Sequence, residues 1–290
     1  MKFLLSLTLA LSITGSVFAC SEDGKSGFLP ENDMYIPVGV KAAGGLTEAQ
    51  FNKVIDKLET LYAPIVSNMG GKLKIQRKWD DGTVNANAMR MGSTWNVNMY
   101  GGLARHQTIT EDGFSLVLCH EIGHHLGGAP KVNSPLAMNK WASNEGQSDY
   151  YATLKCLRKL FMSENNAAAI KKMTVPAALT NACTKQWSNK TDRDICIRGG
   201  MAGASVAGLF AAMRNQPEAK FETPDTKVVS KTDDAHPAFQ CHLDTYFQGA
   251  LCEANFNEDV SQKDETVSTC NKSTGHKIGL RPLCWFKPKN

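Results

Sequence analysis

His120 and His124 stand four residues apart with Glu121 between them, in the run Cys119-His120-Glu121-Ile122-Gly123-His124-His125. On a helix, residues at that spacing share one face. Two imidazoles can then present nitrogens to one divalent cation while Glu121 projects beside it. The chemistry this pattern serves is hydrolysis: a catalytic zinc takes three protein ligands, keeps one position for water and lowers the pKa of that water toward neutrality. A third ligand is therefore required. A histidine six residues beyond His124 is one solution, but Pro130 holds that position and has no donor atom to give. The other solution is a glutamate on the next helix followed by an aspartate one turn later. Glu145 and Asp149, in Asn144-Glu145-Gly146-Gln147-Ser148-Asp149-Tyr150-Tyr151-Ala152, fit it. The expected centre is zinc on His120, His124 and Glu145, with Glu121 as general base and Asp149 accepting the free N–H of a ligating histidine.

The neighbours of the motif read differently. His125 points about 100° away from His124 on a helix, which assigns it to packing or surface. Cys119 also points away from the metal face. Gly123 costs about 1 kcal/mol relative to Ala inside a helix, which implies close packing of a neighbouring element near the metal.

Four segments, in order, resemble the M48-type peptidases, the Ste24- and HtpX-like gluzincins. Val84 to Leu103 (VNANAMRMGSTWNVNMYGGL) is similar to the strand-bearing segment before their active-site helix, and TEDGFSLVLCHEIGHHLGG resembles that helix. EGQSDYYAT resembles their E-x-x-A-D motif with Ser148 in place of Ala, and DAHPAFQCHLDT their later His-Pro segment. The match spans roughly residues 45 to 250 and concerns the soluble catalytic core, since the family's integral membrane helices are absent. It departs from the pattern at His242, where the family usually has Arg. The resemblance implies a zincin-like α/β (α+β) metallopeptidase domain, helix-rich with a small sheet. It makes His236 the donor toward the oxyanion, with His242, Tyr150 and Tyr151 behind it. A histidine capping the helix after Pro237 is the structural alternative for His236. The substrate is expected to be an extended or unfolded polypeptide. Trp95 to Tyr100 alternates apolar and polar residues as an exposed edge strand would, and such an edge can bind a peptide by strand addition.

The N-terminus indicates the compartment. Lys2 precedes an apolar run from Phe3 to Phe18 that ends at Val17-Phe18-Ala19-Cys20, a bacterial-style signal peptide over residues 1–19. Cleavage after Ala19 by an ordinary signal peptidase and lipidation of Cys20 both fit, and the lipoprotein is favoured. Of nine cysteines, eight then remain: Cys119, Cys156, Cys183, Cys196, Cys241, Cys252, Cys270 and Cys284. In an oxidising envelope they suit four disulfides, with Cys119 to Cys156, Cys183 to Cys196 and Cys270 to Cys284 as plausible pairs. The expected location is the bacterial envelope, periplasmic or secreted. The only membrane contact would be through lipid on Cys20, with the outer membrane favoured because Ser21 replaces the usual retention Asp. A net charge of +4 with no basic run gives no reason to expect nucleic acid.

Elements must hold these residues in place. Thr47 caps an amphipathic helix carrying Phe51, Val54, Ile55, Leu58, Leu61, Tyr62 and Ile65, and strands are predicted over Leu73 to Trp79 and within Thr83 to Tyr100. Thr110 opens the zinc helix, which should end near Gly127-Gly128, and Glu145 rides a helix from Ser143 to about Met162. Lys131 to Trp141 reads as a loop over the cleft. A glycine-bearing helical block covers Ala167 to Lys172 and Arg193 to Arg214, and Pro237 to Leu251 is the last helix. This divides the mature chain into a catalytic domain over residues 20–252 and a cysteine-containing extension over 253–290. The expected activity is zinc metalloendopeptidase. The alternatives are a non-catalytic zinc-stabilised assembly factor of the envelope and a latent peptidase with a covered cleft.

Overall fold

Thr47 accepts a hydrogen bond from Gln50 N while the Gln50 side chain returns to Thr47 N, a capping box that starts α1 (Glu48–Asn68). The helix buries Phe51, Val54, Ile55, Leu58, Tyr62 and Val66, a set that recurs at three- and four-residue intervals and faces the main core. The computed structural model to which these elements belong describes residues 17–18, 27–40, 44–133 and 140–289. The predicted signal peptide apart from Val17–Phe18, the lipidation candidate Cys20 and the centre of the Lys131 to Trp141 connection lie outside the described residues.

The sheet is small and mixed. Its strands are β1 (Val17–Phe18), β2 (Lys72–Lys78), β3 (Ala86–Met91) and β4 (Thr94–Tyr100), in the order β1-β3-β4-β2. β3 and β4 form an antiparallel hairpin turning at Gly92, whose φ of 59° suits glycine, and β2 runs parallel to β4. The expectation that Trp95 to Tyr100 forms an exposed edge is therefore corrected: β4 is central, with pairing on both sides, and the outer strands are β1 and β2. Its polar residues misled because they are buried and satisfied by partners. Asn98 Nδ2 donates to Asn87 Oδ1 at 2.7 Å, and Asn96 Nδ2 donates to the Thr94 carbonyl at 3.4 Å.

After the short α2 (Gly101–Arg105), Thr110 caps α3 (Glu111–Leu126) by accepting from Gly113 N, and α3 is buried along almost its whole length. Asn144 caps α4 (Glu145–Tyr151) in the same way through Gln147 N. A single π-helical segment (Ala152–Cys156) follows, then α5 (Leu157–Phe161). α6 (Asn166–Ile170) and α7 (Ala177–Gln186) lead into α8 (Lys190–Arg214). α8 is apolar enough and long enough to span a membrane, but 78% of its apolar window is buried in the fold, where it packs on α3 and on α9 (Phe239–Leu251). The chain is helix-rich with one small mixed sheet, as an α+β architecture requires.

Four disulfides brace the helices. Cys119–Cys156 ties α3 to the π-helical segment, and Cys183–Cys196 ties α7 to α8, both as expected. The expected Cys270 to Cys284 pair is corrected to Cys252–Cys270 and Cys241–Cys284. The reason is geometric. The C-terminal segment returns along α9, so Cys284 meets the first turn of that helix and Cys270 meets the residue that caps its end. Trp285 is fully buried on this path and lies so close to Gly146 that a side chain there would collide with the indole. Four disulfides fit an oxidising extracellular or periplasmic environment.

Candidate metal centre

α3 and α4 approach closely where the metal motif lies. A methyl group at Gly123 would lie 3.0 Å from the Ser148 carbonyl oxygen, a tight contact that glycine avoids where the two backbones meet. This contact sets Glu145 opposite the imidazoles. His120 Nε2 lies 3.3 Å from Glu145 Oε2 and His124 Nε2 lies 3.7 Å from Glu145 Oε1, all in the protein interior. The donor atoms of His120, His124 and Glu145 fall within 4.8 Å of one another, and the three residues could hold a metal ion.

The other nitrogen of each imidazole is committed. His120 Nδ1 donates to Asp149 Oδ1 at 2.6 Å, and His124 Nδ1 lies 2.9 Å from the Ser143 carbonyl and 3.0 Å from Ser148 Oγ. Both bonds leave Nε2 as the atom turned toward Glu145, the tautomer a cation requires. By contrast His120 Nε2, Glu145 Oε2 and both oxygens of Glu121 are buried and make no hydrogen bond among the described residues. Buried polar atoms left in this state are costly in a protein interior. A metal ion is a partner that this donor set fits: two imidazoles and one carboxylate.

The electrostatics follow from burial and from the neighbours. Burial pushes the Glu121 carboxyl up to about 8, against the pull of His120 and with help from Glu145 and Asp149. Burial also raises Glu145, but His236, His124 and His120 outweigh it and bring the group down to about 2. Burial lowers His124 to about 4, which keeps it neutral and able to ligate.

The remaining candidates divide into those that reach the centre and those that do not. His236 faces Glu145, with Nδ1 3.4 Å from Oε2. It does not cap a helix; Ala238 is the N-cap of α9 and makes no side-chain cap bond. His242 Nδ1 donates to Asp149 Oδ2 at 2.6 Å, so the carboxylate that orients His120 is itself held by α9. Tyr150 and Tyr151 are corrected as donors. The Tyr150 hydroxyl donates to the Gly279 carbonyl and accepts from Cys270 N at 3.3 Å, while Tyr151 turns toward Tyr62. Tyr246 was missed in the sequence. It follows His242 by one helical turn on α9, and burial together with Asp149, Glu145 and Glu121 holds its hydroxyl well above its ordinary pKa. That spacing from His242 was the available signal. His125 packs between Trp95 and Trp141, with ring centroids 5.4 and 4.8 Å away, and takes no part in the cluster. Compared with protein-family models, curated proteins and solved structures, the chain has no match.

Proposed function

We propose that the chain is a zinc-dependent metalloendopeptidase of M48-like, zincin-like type, acting on extended or unfolded polypeptides of the bacterial envelope. The observation that carries this reading is Glu121: a carboxylate buried beside His120, His124 and Glu145, with no hydrogen bond spent on either oxygen. A site that only held two helices together would have no use for such a group. Zinc, when bound, would supply the Lewis acidity that activates water and polarises a peptide carbonyl.

Glu121 then takes a proton from the attacking water and delivers it to the leaving amine. Asp149 fixes His120, and His242 fixes Asp149. His236 supplies the donor toward the developing oxyanion, which its place 3.4 Å from Glu145 supports. The peptide is received by strand addition along β3, on the side where Val17–Phe18 of the predicted signal peptide pairs in this structure. In the cell, the mature chain is anchored to the outer membrane through lipid on Cys20.

Metal content and casein cleavage, measured for the wild type beside Glu121→Gln, test this reading. One zinc per chain in both, with cleavage lost only in the variant, is the expected outcome. Equal zinc with no cleavage by either, on unfolded substrates as well, would point instead to a zinc-stabilised assembly factor. Absence of bound metal would overturn the proposal.

A further inference from the structure

The centre is closed, and part of what closes it is the chain's own N-terminal region. Gly27, Phe28 and Leu29 lie against the start of β3, on the side away from β4. Phe28 N donates to the Ala86 carbonyl at 2.8 Å, and Asn85 exchanges two hydrogen bonds with the Leu29 backbone, at 2.9 and 3.2 Å. Further along β3, Val17–Phe18, which belongs to the predicted signal peptide and is lost on maturation, pairs antiparallel with Met89 and Arg90. The Phe28 ring meets the His120 ring edge-on, with centroids 5.0 Å apart, and stacks on Phe210 at 5.6 Å. Phe28 and Leu29 are both fully buried, as are His120, Glu121 and His124.

From this juxtaposition we infer that Gly27–Leu29 is a strap that covers the start of β3 and holds one of its backbone carbonyls, and that the pocket Phe28 fills beside His120 is a subsite for an aromatic side chain of the substrate. The inference rests on the peptidase reading for its second part only. Withdrawing the strap exposes a β-edge with unpaired backbone groups and leaves an aromatic-sized void against His120 and Phe210, which is unfavourable unless something refills it. An extended polypeptide with an aromatic residue satisfies both needs at once: its backbone replaces the bond to Ala86, and its ring replaces Phe28. The strap thus makes entry conditional on a suitable ligand.

Gly27 supplies the variant that tests this. A methyl group there would collide with the Ala86 carbonyl oxygen, so Gly27→Ala forces the strap from the edge without removing a core side chain. Two readouts are taken on the zinc-loaded chain: the rate of zinc release to a chelator, and the binding of a fluorescent hexapeptide carrying one Phe beside its Ala analogue, in a Glu121→Gln background that prevents turnover. In Gly27→Ala, zinc is expected to leave about tenfold faster, and the Phe peptide to bind about tenfold more tightly than the Ala peptide, with much weaker binding to the unaltered strap. Unchanged zinc release in a folded Gly27→Ala chain, or equal binding of the two peptides, would overturn the inference. If Gly27→Ala does not fold, Phe28→Leu, which keeps an apolar side chain in the core but withdraws the ring from His120, carries the same measurements. Faster zinc release and Phe-selective binding without casein cleavage by the Glu121-containing chain would uphold the strap and refute the peptidase reading. If no zinc is bound, the binding arm alone decides the inference.

Discussion

The carboxylate of Asp149 accepts a 2.6 Å hydrogen bond from His242 through the oxygen that it does not give to His120. One side chain on α4 therefore joins the metal-motif helix α3 to α9, and the position of a candidate ligand depends on a residue more than a hundred positions away in sequence. Partners of ligating histidines usually matter to metal affinity by about 10–100-fold, which sets the scale for Asp149→Ala. His242→Ala should cause a smaller loss in the same direction. His242→Arg, which restores an N–H donor to Asp149, should recover affinity. Competition titration against a zinc chelator measures all three.

The buried Glu121 carboxyl makes the stability of the metal-free chain depend on pH. Its folded value of about 8 lies above the ordinary 4.5, so between these limits the folded chain holds a proton that the unfolded chain has released. The contribution is fully present below about 4.5 and is lost as pH rises toward 8. Glu145 works in the opposite sense. Its value of about 2 adds stability above 4.5 that disappears as pH falls toward 2. Measured by denaturant titration against Glu121→Gln, the stability of the metal-free wild type should therefore fall from pH 5 to 8, because the histidines that burial lowers, His124 among them, contribute alike to both chains. Parallel curves would remove Glu121 as the cause.

Trp285 is expected to be one of the residues most costly to truncate. It is fully buried, donates from Nε1 to Thr245 Oγ1 at 3.0 Å and covers Gly146, next to Glu145. Trp285→Ala should lower stability by about 3–5 kcal/mol, read from denaturant midpoints. Because the cavity opens beside α4, metal affinity should fall as well.

Peptide mapping of the unreduced protein should return Cys241–Cys284 and Cys252–Cys270 as linked pairs. Replacing Cys252 and Cys270 together by Ser should cost about 2–5 kcal/mol, because the unfolded chain regains the freedom that the bridge removes. Recovery of a Cys270 to Cys284 peptide would contradict the path of the C-terminal segment along α9.

Much of the candidate metal centre was legible in the sequence because its logic is local. The His120–His124 spacing, the caps at Thr47, Thr110 and Asn144, and the Glu145–Asp149 interval each depend on the pitch of one helix and on the orphan amides at its start. The glycine at Gly123 announced a close neighbour for the same reason. Other features depended on where separate segments meet. Alternation along Trp95 to Tyr100 cannot tell an edge strand from a central one, and a buried asparagine such as Asn98, satisfied across strands, looks like a solvent-facing residue. The direction of the Tyr150 hydroxyl was settled by a carbonyl at Gly279, and the partner of Cys284 by the return path of the tail. The second histidine on Asp149 and the Phe28 ring against His120 carry no sequence pattern of their own. Helical periodicity determines which atoms share a face, whereas long-range packing decides what that face meets, and in this protein only packing revealed that the metal centre is enclosed.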